Sequence, residues 1–155
     1  MEVKINNGFV DDIFNGNHPV ACLAAAELDK EELLEISLGL SSGKNFVLLV
    51  KNNSIIHDRL LPAFISAYVR YTEKHMRSSS LQKEILLFTA GTMNVGKAIK
   101  AAGISDNGEF IAFSSSKALL DKFIKDSHSK IVKNISLQLD RKYAVKVAMA
   151  GLGAK

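Results

Sequence analysis

The residues Gly91-Thr92-Met93-Asn94-Val95-Gly96-Lys97-Ala98 come within one side chain of a phosphate-binding loop, Gly-x-x-x-x-Gly-Lys followed by Ser or Thr. In that motif backbone amides cradle the phosphates, the lysine reaches the terminal ones, and the last hydroxyl ligates magnesium. An apolar run, Ile85-Leu86-Leu87-Phe88, precedes the glycine as a feeding strand would. Two chemical requirements then fail. The hydroxyl position is Ala98, and the apolar runs Phe46 to Val50 and Phe110 to Phe113 lead into Lys51 and Ser114, where a second magnesium ligand needs an acid. The segment before Gly91 also starts as a helix does. Ser79 or Ser80 can open a capping box, and Gln82, Lys83 and Glu84 are good helix formers. The stretch therefore reads as helix, glycine turn and short helix, and neither an enzymatic activity nor a cofactor is expected. The rival, a small nucleotide-dependent enzyme using Gly91 to Lys97, requires a strand where this reading puts the first helix.

Cations supply the second chemical pattern. In a helix from about Asp58 to Arg77, 100° per residue gathers Leu61, Phe64, Ile65, Tyr68, Thr72 and His75 into a core stripe. Pro62 is placed in or near its first turn, where a missing N–H costs least. The opposite sector collects Arg59, Ala63, Ala67, Arg70, Lys74 and Arg77. Such a stripe either lines a groove for a phosphate backbone or coats a solvated helix face. Only Tyr71 lies near it as a stacking platform for single-stranded bases. The next helix, Leu81 to about Ala90, is apolar around most of its circumference through Leu81, Ile85, Leu86, Leu87 and Phe88. Core burial accounts for most of these residues, and an interface for the rest.

Other reactive groups are sparse. His18, His57, His75 and His128 show no metal-ligand spacing and have no cysteine partners, so no metal site is expected. The single Cys22, among small apolar neighbours, reads as a buried hydrophobe rather than a nucleophile. Charge is spread unevenly. Residues 1–43 hold two basic and eight acidic side chains, whereas residues 115–155 hold nine and three. This polarity fits either an acidic partner, nucleic acid included, or a coat of charge on a solvated surface.

These groups need a scaffold. With 155 residues and 47% apolar content, one compact domain over residues 1–155 is expected. No apolar stretch is long enough to span a bilayer and Met1 to Gly8 is polar, which points to the cytoplasm. Strands are predicted at Glu2 to Val10, Val20 to Ala26, Asn45 to Lys51 (consecutively apolar, hence central), Glu109 to Ser114 and Asn134 to Leu139. Asp11 to Pro19 reads as a loop. Beyond the central pair, helices are predicted over Lys30 to Leu40 behind Asp29, Lys117 to Asp126 behind Ser115 or Ser116, and from Asp140 to near Gly151. The result is an α+β fold, a mixed β-sheet packed with helices, with a helix-turn-helix region at its centre.

The central residues resemble a known family. An apolar strand is followed by a helix opening near His57 and carrying Ala63 and Ala67, then by a Ser-rich link. Next come Glu84-Ile85-Leu86-Leu87-Phe88-Thr89-Ala90-Gly91, Val95, Ala98-Ile99 and Gly103-Ile104. Over roughly residues 45 to 114 this is similar to the kinase-binding subunit of the KEOPS complex, the family of the PRPK-binding protein. The resemblance implies a small α+β accessory protein without an active site. Such a subunit binds the N-terminal lobe of the complex's small atypical kinase and assists threonylcarbamoylation of the tRNA adenosine beside the anticodon. It is also implicated in holding the tRNA 3′ end. On that basis Leu81, Ile85 and Phe88 are expected to face the kinase. Arg59, Arg70, Lys74 and Arg77, with Lys97, are expected to meet phosphates. The chain departs from the family at Met93-Asn94, where many members carry a basic or Gln pair. A third possibility is a stand-alone small-ligand-binding domain of ferredoxin-like layout, which would show a deep apolar pocket lined by convergent polar groups.

Overall fold

Asp29, Asn53, Ser80, Asn94 and Ser116 each stand one residue ahead of a helix, and each side chain accepts a backbone N–H from the first turn. The computed structural model describes residues 18–76, 78–105 and 108–137. Within them the helices are α1 (Lys30–Leu40), α2 (Ser54–Thr72), α3 (Leu81–Ala90), α4 (Val95–Ala102) and α5 (Lys117–Asp126). The strands are β1 (Val20–Ala25), β2 (Val47–Lys51), β3 (Glu109–Ser114) and β4 (Lys130–Ile135).

The strands form one sheet in the order β2-β3-β1-β4, antiparallel at every junction. Alternation along the strands divides the core in two. Phe46, Leu48, Val50, Ile111 and Phe113 face α2 and α3, whereas Val47, Leu49, Phe110 and Ala112 face α1 and α5. Helices on both faces make this an α+β fold, as the sequence predicts. They also explain why Phe46 to Val50 is buried at consecutive positions.

Consecutive burial suggested a central strand, but β2 lies at an edge. Its outer side is closed by other means. Ser41 Oγ accepts from Val47 N at 3.1 Å, Gln82 Nε2 donates to Val47 O at 2.6 Å, and Val50 bridges to Gly103. These contacts satisfy edge groups that would otherwise invite another strand.

Besides shifts of one or two residues at β1 and β2, three boundaries differ from the sequence reading. A strand is predicted at Asn134 to Leu139, whereas β4 runs from Lys130 to Ile135 and shares only Asn134 and Ile135 with that range. It pairs with β1 through a register shift at Leu23/Ala24, and Gln138 and Leu139 lie outside the described residues. Helix α2 begins at Ser54 rather than Asp58, because Asn53 Oδ1 accepts from Ile55 N and Ile56 N at 2.8 and 3.3 Å. Pro62 consequently sits inside the helix, where its ring removes one main-chain bond. At the other end α2 stops at Thr72. Lys74 adopts a left-handed φ of 59°, with His75 N bound to Arg70 O at 2.8 Å and Lys74 N to Tyr71 O at 3.3 Å. That pair of bonds is a Schellman cap. The core stripe therefore holds at Leu61, Phe64, Ile65 and Tyr68, while Thr72 and His75 are exposed. The elements predicted at Glu2 to Val10 and from Asp140, and all but the end of the Asp11 to Pro19 loop, lie outside the described residues.

Candidate functional site

The site is organised by the packing of α3 on α2. Ala63 and Ala67, expected between the cations of an outer stripe, are buried in the core shared by these two helices. Small side chains let the backbones approach, so the middle of that stripe is the seat of α3 and the cations remain at its rims.

At one rim, Arg59 is exposed and its Nη1 donates to Thr89 O at 3.3 Å. A cation beside the last carbonyls of α3 is electrostatically favoured. Next to it, α3 ends at Gly91 with φ +72°, and Gly91 N and Thr92 N both donate to Leu87 O. Asn94 then opens α4, its Oδ1 accepting from Lys97 N at 3.0 Å, and leaves the Lys97 side chain exposed. The Gly91 to Lys97 motif thus follows a helix rather than a strand, and a side-chain cap occupies the amide of Lys97. A phosphate-cradling loop needs the opposite arrangement.

At the other rim, Arg70 Cζ lies 5.2 Å from the Phe88 ring centroid and Nη1 donates to His75 O at 3.3 Å. Arg70 Nε is buried without a partner. Lys74 is exposed in the Schellman cap, off the helical stripe that was to carry it. Arg77 lies outside the described residues. The expected row of cations is therefore divided. Arg59 and Lys97 flank the α3–α4 turn. Arg70 lies eleven residues further along α2, roughly 16 Å at 1.5 Å per residue, and Lys74 follows it in the cap beyond the helix end.

The apolar candidates divide as well. Leu81 and Ile85, at 1% and 0% exposure, are sealed in the protein's own core and cannot form a kinase-facing surface. Phe88 is half-buried, against Arg70. Residues assigned to different partners, Phe88 and Arg70, thus touch. Met93 in the turn and Ile99 on α4 are exposed at 56% and 46%; the sequence reading notes Met93 only as a departure from the family and gives neither a partner-facing role. The signal was present. With Ala98 and Ala102 facing inward, 100° per residue turns Ile99 outward.

Two reactive groups are buried, Glu84 beneath this surface and Cys22 on the opposite face of the sheet. Glu84 accepts from Ser78 N and Ser78 Oγ at 3.0 and 2.8 Å, anchoring the Ser-rich link that leads into α3. The expected capping box is half present. Ser80 Oγ accepts from Lys83 N at 3.2 Å, while Glu84 reaches past the cap to Ser78. Cys22 is fully buried, and burial, with Asp121 as a smaller influence, pushes its thiol from 9.0 up to about 11. This suits the structural role predicted for it.

No cluster of His, Cys, Asp or Glu able to hold a metal occurs among the described residues, and none of their helices is long and apolar enough to cross a membrane. A groove of about 460 Å³ beside the start of α2 has an apolar floor of Leu23, Ile111 and Ile135 and a largely exposed polar rim including Asn53 and Lys133.

No curated protein matches the chain. Residues 29–149 match the profile of the family described as kinase binding protein CGI-121. That span holds the whole α2–α3–α4 arrangement, and the chain belongs to the CGI-121 family of kinase-binding proteins, the family its central residues resemble.

Proposed function

We propose that the protein is a non-catalytic subunit of the KEOPS complex that acts in the cytoplasm, binding the small atypical kinase and the 3′ end of tRNA. The family match over residues 29–149 carries this reading. Phe88, together with Met93 and Ile99, supplies apolar area for a protein partner. The two cation pairs, Arg59 with Lys97 and Arg70 with Lys74, supply phosphate contacts, each releasing counterions when it engages. Arg77 remains a candidate through its place in the sequence.

The test is a pull-down with the tagged full chain from native cytoplasm. Recovery of a small kinase together with tRNA supports the proposal, and recovery of neither overturns it. Charge reversal of Arg70 and Lys74 at unchanged melting temperature is expected to weaken tRNA binding in a salt-dependent way. Unchanged binding removes those residues from the RNA surface.

A further inference from the structure

Arg70 holds a position that its own hydrogen bonds do not explain. Its guanidinium lies over the Phe88 ring, one nitrogen reaches the His75 carbonyl, and Nε is buried with no acceptor. An unmade bond on a buried charged donor is costly. Arginine also binds oxyanions best through two parallel N–H groups, and the edge carrying Nε is unused here. Phe88 differs from its neighbours on α3. Leu81, Ile85, Leu86 and Leu87 are buried in the core, whereas Phe88 stays at the surface beneath a cation. The polar contacts of that cation are one carbonyl bond at 3.3 Å and a ring face, while Nε is closed off from solvent, so only an outward turn of the side chain offers it to an anion.

We propose that Arg70 is a removable cover on Phe88. A phosphate oxyanion that meets the guanidinium as it turns outward gains the Nε donor, holds the group off the ring and bares Phe88 for the kinase. Anion binding and apolar docking at this surface therefore favour each other, and by linkage the favour is reciprocal. The exposed Lys74 in the adjoining cap adds attraction for the incoming charge. This inference rests on the reading of Arg70 as a phosphate contact. It adds that the same contact regulates access to Phe88.

The chain contains no tryptophan, so Phe88→Trp places a single indole reporter under Arg70 in the full-length protein. Inorganic tripolyphosphate is titrated against chloride of equal ionic strength, and emission and acrylamide quenching are followed. The expected result is a red shift with increased quenching, both lost when Arg70→Ala is added. A glutarate titration run in parallel separates a carboxylate source from a phosphate source. The same response in the Arg70→Ala background overturns the proposal, as does tripolyphosphate binding without a change at the indole. Should Phe88→Trp not fold, the 15Nε resonance of Arg70 in the native chain reports the same event. An unmoved resonance at saturating tripolyphosphate also overturns the proposal. Neither kinase nor RNA enters the experiment, so its failure is distinct from a failure of the pull-down.

Discussion

Gln82 Nε2 of α3 donates to Val47 O of β2 at 2.6 Å, a buried bond between residues 35 positions apart. It ties the helix that carries Phe88 to the open edge of the sheet. Gln82→Leu keeps most of the volume but leaves the Val47 carbonyl buried without a donor. The expected cost is about 1–3 kcal/mol, read as a lower urea midpoint at unchanged m-value. An unshifted midpoint would mean that this bond does not secure the edge.

Gly91 separates strain from crowding. A Cβ added there meets only Arg59 Nη1, at 3.9 Å, so there is room for a methyl group. The φ of +72° is the obstacle, costing an L-residue about 1–2 kcal/mol. Gly91→Ala should therefore lower the melting temperature, and Gly91→Asn should lower it less because asparagine tolerates this region. ATP with magnesium should shift none of the three proteins. A nucleotide-induced shift in the native chain that Gly91→Ala abolishes would restore the phosphate-loop reading.

Cys22 gives a pH dependence with a defined sign. Burial first, and Asp121 second, raise its thiol from 9.0 to about 11. Between those values the folded chain keeps a proton that the unfolded chain releases. The stabilising contribution is complete below pH 9 and is lost as pH rises through 11, with an upper size of about 2–3 kcal/mol. Comparing native and Cys22→Ala chains by denaturant titration from pH 8 to 11 isolates it from other alkaline groups. The native chain should lose stability faster, and parallel curves would refute the assignment. At pH 8, iodoacetamide should label the thiol only as the chain unfolds.

Local chemistry accounts for what the sequence made legible. Asp29, Ser80 and Ser116 cap helices where their types and neighbours predict, and β3 is the apolar strand predicted at Glu109 to Ser114. What could not be read depends on distant partners. Consecutive apolar residues in β2 signalled burial on both faces, yet burial says nothing about sheet order. The edge position is tolerated because Gln82, Ser41 and Gly103 close it. Likewise, 100° per residue put Ala63 and Ala67 beside Arg59 and Arg70, but only the docking of α3 shows that the alanines face inward. A left-handed lysine is uncommon, so nothing in Glu73-Lys74-His75 announced the end of α2. That end is what separates Lys74 from the helical row.

The separation of the cations into two pairs makes the proposed RNA surface divisible. In tRNA binding each lost phosphate contact should reduce the slope of log K against log salt by about 0.7 for a single strand and 0.9 for a duplex. Arg59→Gln with Lys97→Gln removes charge at the α3–α4 turn while a side-chain donor remains for the Thr89 carbonyl. Arg70→Gln with Lys74→Gln removes charge at the α2 cap. If both rims carry RNA, each double variant should lose roughly 1.5 from the slope. Sites this far apart without shared partners usually act additively, so the fourfold variant should show the sum. A loss confined to the Arg59 and Lys97 variant would place the strand at the turn and leave Arg70 free for a protein carboxylate. Slopes identical to that of the native chain in both variants would remove these cations from RNA binding, leaving the kinase as the partner this surface serves.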